Sequence, residues 1–243
     1  MDSREADWLI KKIGVISTSK LSLLTSETGK WTTTNISYLY SLERQRFLKQ
    51  PSPQIHSRQT QLGIDNEPYA VAWLRENTTM SIKHCSEDYE EKVFVLTDWG
   101  LGCSPDVYEV SEDESVILSL IEIKTKTGPK ELATFFSPTM PHARKRLMAY
   151  DDHRDQLAGQ LLAHPKVDII YLFFYDPQLD DDEWDLRSPT DPTRGVLFKY
   201  TRQEFGMYLD SLKDRIIFAN NYLDSGKDIL TINNEWNEYL KTK

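Results

Sequence analysis

Two hydrophobic periods divide this chain. From residue 3 to 76, apolar positions recur every three or four residues, the spacing that gathers them on one helix face. The pattern predicts helices over 3–12, over SKLSLL behind a Ser17 or Thr18 cap, over ISYLYSLERQRFLK after TTTN, and over 57–76. Gly14 ends the first, and Pro51 and Pro53 stop the third. From 79 the period shortens to two. TMSIKH, KVFVLT, DVYEV and VILSLIEIK are rich in β-branched and aromatic residues and read as strands. After a loop over 126–141 come a helix near 142–164 and a strand over VDIIYLFFY. An acidic, proline-bearing loop over 176–195 leads to a last strand, GVLFKYT, a long helix from Arg202 to about Ser225, and a short tail. Without repeats or a low-complexity linker, the 243 residues read as a single domain over 1–243. Its class is α/β, with a central mixed β-sheet flanked by helices.

Chemistry first shows in the hairpin. DVYEV and VILSLIEIK flank the polar turn SEDES, and folding about position 114 sets Asp106 opposite Glu122. Opposed residues have β-carbons about 4.5–5.5 Å apart, so two carboxylates there repel unless a cation lies between them. Glu122 and Lys124 share a strand face, and Ile121 and Ile123 point the other way. Two readings follow. Either Asp106 closes a turn and Glu122 pairs with Lys124 on a solvated surface, or the acids hold a hard divalent ion such as Mg²⁺ or Mn²⁺.

Two helices carry polar residues with a similar ambiguity. In DDHRDQLAGQLLAH, the residues His153, Gln156, Gln160 and His164 fall in one arc beside the Leu157/Leu161 stripe. That arc is either a solvated face or a polar strip available to a metal-bound water or a phosphate. Glu67, before Pro68 in GIDNEPYAVAW, is a surface acid or a ligand.

Composition narrows the setting. No apolar run approaches the roughly 18 residues that span a membrane, and MDSREADWL lacks signal-peptide form. Two cysteines, Cys85 and Cys103, exclude a four-cysteine metal site and give no disulfide framework, so a cytoplasmic setting is expected. The net charge of −9 argues mildly against nucleic acid, yet basic residues cluster at Lys11/Lys12, at Lys124/Lys126/Lys130 and at Arg144–Arg146. The acidic run DDDEWD over 180–185 is a solvated loop on this reading.

In this order, WLIKKIGVISTSKL, GIDNEPYA, GCSPD, IEIK, DQLAGQ and FFYDP resemble the phage-type alkaline exonucleases. These are the lambda-exonuclease and YqaJ-like viral recombinase nucleases. The resemblance covers most of the chain and implies a restriction-endonuclease-like, PD-(D/E)xK core. It also implies a Mg²⁺-dependent 5′→3′ exonuclease, with Mn²⁺ able to substitute, acting on double-stranded DNA ends in viral recombination or replication. Asp106, Glu122 and Glu67 would ligate the metal with the Ile123 carbonyl, and Lys124 would orient or deprotonate the attacking water. Gln160, with Gln156, would lie by the scissile phosphate, and Lys12 and Ser19 would hold the 5′ phosphate. A ring-shaped homotrimer and a single-strand annealing recombinase partner are implied as well, within a host cytoplasm.

This chain departs from the family pattern at Val107, where glycine usually follows SPD, and at Lys12, where the family has arginine. Lysine lacks the bidentate fork that guanidinium offers a phosphate. Its hairpin is also longer, and Asp98 is an accessory acid candidate. The alternatives are an endonuclease of the same fold and a catalytically silent DNA-end-binding protein.

Overall fold

The structure is a computed structural model that describes residues 8–26, 28–53, 57–85, 94–125, 151–177 and 187–242. Expectations for 3–7, the loop over 126–141, the helix start over 142–150, the third basic cluster and the DDDEWD run lie outside the described residues.

A helical turn over 8–11 ends at Gly14, which adopts φ 63°. Strand β1 (Ile16–Ser17) passes into a 3₁₀ segment, Thr18–Leu23. The expected cap is absent there: the Ser17 hydroxyl bonds to Ser19 Oγ at 3.1 Å and leaves the backbone uncapped. Helix α1 (Thr33–Leu48) opens on a capping box, with the Thr32 and Asn35 side chains each bonding the other's N–H. It closes at Lys49 in a left-handed conformation, ahead of both prolines. Helix α2 (Arg58–Asn77) is capped by the Ser57 hydroxyl, which accepts from the Thr60 N–H.

Among the described residues, eight strands form two sheets rather than the one expected. A five-stranded sheet orders β2 (Ile82–His84), β5 (Val107–Val110), β6 (Ile117–Thr125), β7 (Ile169–Tyr175) and β8 (Gly195–Thr201). Only β6 and β7 run parallel in it. A small sheet places β4 (Leu101–Cys103) between β1 and β3 (Val95–Leu96). The chain changes sheets at Ser104-Pro105. Pro105 has no N–H for a ladder, so β4 ends there and Asp106 begins a new strand direction.

Helix α3 (Asp151–Ala163) follows β6, and the long helix expected from Arg202 divides into α4 (Arg202–Phe205) and α5 (Met207–Asp224). Gly206 breaks it, with φ 47° and ψ −132°, a combination suited to a residue without Cβ. The expected tail is structured instead. A 3₁₀ turn (Ile229–Thr231) leads into α6 (Ile232–Lys241), which buries Ile232 and Trp236. The Trp236 ring lies 4.9 Å from Phe218 and 6.0 Å from Trp31.

Strand alternation sorts the sheet's two faces. Val107, Ile121, Ile123, Phe173 and Tyr175 pack on Ala70, Val71, Trp73 and Leu74 of α2. Leu120, Leu172, Phe174 and Phe198 pack on the side of α3 and α5, with Leu157, Leu161, Leu212 and Ile216. Each buried aliphatic or aromatic side chain of this kind stabilises the fold by about 1.5–3 kcal/mol before ordering costs. Helix α3 is held closely. A Cβ at Gly159 would lie 3.1 Å from Thr18 Cγ2 and closer still to Leu21, so the missing side chain lets the 3₁₀ segment lie on the helix. Asp155, fully buried, accepts from the Thr25 and Tyr208 hydroxyls and fixes the helix's rotation.

Candidate active site

The hairpin register places the first two acids. Val107 pairs with Ile121, so the next position outward along both chains sets Asp106 beside Glu122. Glu122 lies on the α3 side of the sheet and is only 3% exposed. Its Oε1 accepts from Lys124 Nζ at 2.7 Å and from Gln156 Nε2 at 2.6 Å. Its Oε2 accepts from Gln160 Nε2. A solvated surface pair is therefore the wrong description of Glu122 and Lys124: the pair exists, but its carboxylate is withdrawn from water and compensated by three donors.

Asp106 is held differently. Its Oδ2 accepts one backbone N–H, from Ile123, at 2.8 Å. Burial, then the Glu122 and Glu67 carboxylates, push its carboxyl well above the ordinary range, against the opposing pull of Lys124 and the Ile123 N–H. An acid that resists ionisation because other acids face it is poised for a cation.

The polar arc of α3 divides. Gln156 bridges the site, giving Nε2 to Glu122 while its Oε1 accepts from Lys124 Nζ at 3.0 Å. Gln160 is fully buried with its amide turned so that Nε2 meets Glu122. Its Oε1 has no hydrogen-bond partner among the described residues. The two histidines pack elsewhere. His153 sets its ring edge-on to Phe174 at 5.8 Å, and His164 does the same to Tyr108 at 5.8 Å.

His164 also bonds the Gln160 carbonyl through Nδ1 at 3.0 Å, and burial lowers its pKa against the opposing pull of that bond. The unfolded chain thus binds this proton more readily than the folded one, so stability rises with pH through the window below the unperturbed value of about 6.5. Thermal midpoints should fall as pH drops below about 6.5. In His164→Leu the slope should be shallower, whatever the change in absolute midpoint. An unchanged slope in scans across pH 5–8 would contradict this assignment.

Glu67 approaches from α2, on the sheet's other side. Its Oε1 lies 2.6 Å from Nε2 of His84, a residue of β2 that is 3% exposed. Sequence reading placed the SIKH strand but gave His84 no role. Its alternation with buried Ile82 was the available signal. The Glu67 charge reaches Asp106, where it is the third cause of the raised carboxyl.

Lys12 and Ser19 flank β1 of the small sheet. Lys12 Nζ stands 3.5 Å over the Trp8 ring, and Ser19 is exposed on the first turn of the 3₁₀ segment. Cys103 connects the two regions. Its buried thiol bonds the Thr18 hydroxyl and feels the charges of Glu122, Lys12 and Asp106. Burial pushes the thiols of Cys85 and Cys103 far up, so both remain protonated and unreactive, and both are free. Asp98 does not join this group. It lines a separate cavity with Trp99, Leu162 and Lys213.

The donor set fits a hard divalent cation. Among the described residues, no three Asp, Glu, His or Cys side chains already converge as a cage. The mutual repulsion at Asp106 and the unpartnered amide oxygen of Gln160 nevertheless mark a place short of positive charge. Among the described residues, no helix is long and apolar enough to cross a membrane.

The fold as a whole is that of the alkaline and phage-related exonucleases, a mixed sheet flanked by helices. Among solved structures, the chain is similar to the alkaline exonuclease LHK-Exo from Laribacter hongkongensis, with a TM-score of 0.63 at 16% identity over 98% of this chain and 100% of that one. The same enzyme in complex with dAMP matches equally, with a TM-score of 0.63 at 16% identity. A phage related exonuclease from Haemophilus somnus 129PT gives 0.62 at 15% identity, over 87% of this chain and 94% of its own. No protein-family model and no curated protein sequence matches the chain.

Proposed function

We propose that this protein is a divalent-metal-dependent deoxyribonuclease that degrades double-stranded DNA from its 5′ ends, using Mg²⁺ with Mn²⁺ able to substitute. One observation carries the reading: buried Glu122, gripped by Lys124, Gln156 and Gln160, stands beside an Asp106 whose ionisation its neighbours oppose. The likeness to an exonuclease fold, including one neighbour in complex with dAMP, supports it. Asp106, Glu122, Glu67 and the Ile123 carbonyl would hold the ion, which supplies Lewis-acid neutralisation of the charge gathering on the phosphate. Lys124 Nζ, beside Glu122, orients the attacking water and, in its neutral amine form, takes the proton that the water gives up. Gln160 and Gln156 fix the Glu122 carboxylate and border the scissile phosphate. The same reading takes double-stranded DNA ends as substrate, a ring-shaped homotrimer as the assembly and a single-strand annealing recombinase as partner.

Lys12 and the Ser19 turn would grip a terminal 5′ phosphate. The test is timed digestion in Mg²⁺ of end-labelled linear duplexes, with and without a 5′ phosphate, beside closed circular DNA. Linear DNA should be degraded and circular DNA spared, with phosphorylated ends faster. Lys12→Ala should erase that preference and leave hydroxyl ends nearly unaffected, since only the phosphorylated end gains from the contact. Cleavage of closed circles would favour the endonuclease alternative. A variant that keeps the full preference would place the phosphate pocket elsewhere.

A further inference from the structure

His84 has no part in the chemistry described so far, yet it is a buried imidazole aimed at a candidate ligand. It ends β2, paired with Val107, and the next residue, Cys85, donates its N–H to the Asp106 carbonyl at 3.0 Å. The imidazole is thus tied by backbone to the strand start that carries Asp106. Glu67 has a weaker anchor. It sits on a long helix directly before Pro68, whose missing N–H leaves the helix bond to the Ile64 carbonyl unmade. Its carboxylate is partly exposed and repelled by the Asp106 carboxylate, which favours a swing toward water. The 2.6 Å contact to His84 Nε2 opposes that swing by fixing Oε1, which leaves Oε2 for a second partner.

We infer that His84 is a positioning residue. It donates Nε2–H to Glu67 and holds that carboxylate within reach of the ion that Asp106 and Glu122 would bind. The inference rests on the proposed metal site. Outer partners that orient ligands in this way typically alter metal affinity by about 10–100-fold when removed.

The experiment measures Mn²⁺ affinity by electron paramagnetic resonance, without DNA, in the full-length protein and three variants. His84→Phe keeps a ring without a donor and should weaken binding by about 10-fold or more. His84→Gln, whose Nε2 can replace the imidazole donor, should restore affinity to within a few fold. Glu67→Gln should weaken binding similarly, and Glu67→Gln/His84→Phe no further than either alone, because both act through one carboxylate. Rescue by glutamine separates positioning from packing, so a poorly folded His84→Phe does not decide the outcome.

If Glu67→Gln loses affinity while His84→Phe keeps it, His84 positions nothing and the inference falls with the metal site intact. Failure of His84→Gln to rescue a weakened His84→Phe would also overturn it. If Glu67→Gln binds Mn²⁺ as the wild type does, Glu67 is no ligand and the proposed site itself fails at that position.

Discussion

Asp106→Asn should remove DNA cleavage and, in the absence of metal, raise the thermal midpoint. Both effects come from one physical cause. In the metal-free protein the Asp106 carboxylate is disfavoured by burial and by the Glu122 and Glu67 charges, so a neutral isostere relieves repulsion while its oxygen still accepts the Ile123 N–H. The repulsion that costs stability is what a divalent ion would exploit. Saturating Mg²⁺ should therefore stabilise the wild type, by about 2.7 kcal/mol at a hundredfold excess over Kd. For a chain of this size that corresponds to a rise of roughly 5–10 °C. Asp106→Asn should lose the Mg²⁺-induced rise together with the activity. Glu122→Gln should also be inactive, but its metal-free midpoint should fall. A glutamine there has only one acceptor oxygen, and its amide N–H₂ would face either the Gln160 donor or the donors of Lys124 and Gln156. Thermal scans in EDTA and in Mg²⁺, beside digestion of a labelled duplex, measure all of this. An Asp106→Asn variant that cleaves at near-normal rates, or is still stabilised by Mg²⁺, would sink the metal assignment.

Much of this arrangement was readable from the residues, for identifiable reasons. Alternation in VILSLIEIK gave the face of Glu122 and Lys124, and folding about position 114 gave the register beside Asp106, which the strands reach through a bulge between Glu109 and Val110. Helical spacing of Gln156 and Gln160, four residues apart beside Leu157 and Leu161, likewise pointed both amides to one target. What failed to show depended on long-range pairing or on single residues. Nothing local in KVFVLT says that Val95–Leu96 pairs with β4 in a separate sheet. Gly206 sits inside an otherwise continuous helical period, so the break before α5 required its backbone angle. Helix α6 is short, and its apolar anchors Ile232 and Trp236 acquire meaning only against Trp31 and Phe218, far away in sequence. His84 was hidden because its partner, Glu67, lies on a different element, and a lone histidine in a strand carries no spacing signal.

Lys124→Ala should cut the cleavage rate by about 10²–10⁴, the usual range for loss of a group that orients or deprotonates the attacking nucleophile. The lysine is well placed for that role. Its stem runs along β6 beside Glu122, and its Nζ is fixed between Glu122 Oε1 at 2.7 Å and Gln156 Oε1 at 3.0 Å. As an ammonium the group can only donate; in the neutral amine form it can donate to both acceptors and still offer a lone pair to a proton. The side chain is 26% exposed, so water can reach it, unlike the nearly enclosed Glu122. Removing it leaves Glu122 with both glutamine donors, so the carboxylate should stay in place and Mn²⁺ affinity should change little. DNA binding, read by fluorescence anisotropy in Ca²⁺, should also persist, which would separate a chemical defect from a binding defect. Lys124→Arg distinguishes the lysine's two possible contributions. A guanidinium can still orient a water through its donors but does not give up a proton in this setting, so it recovers orientation alone. A single-turnover rate for Lys124→Arg as low as that of Lys124→Ala would assign the lysine to proton transfer, whereas recovery to within tenfold of wild type would assign it to orientation. A Lys124→Ala variant that cleaves at the wild-type rate would remove it from the reaction and leave it as the ion-pair partner of buried Glu122.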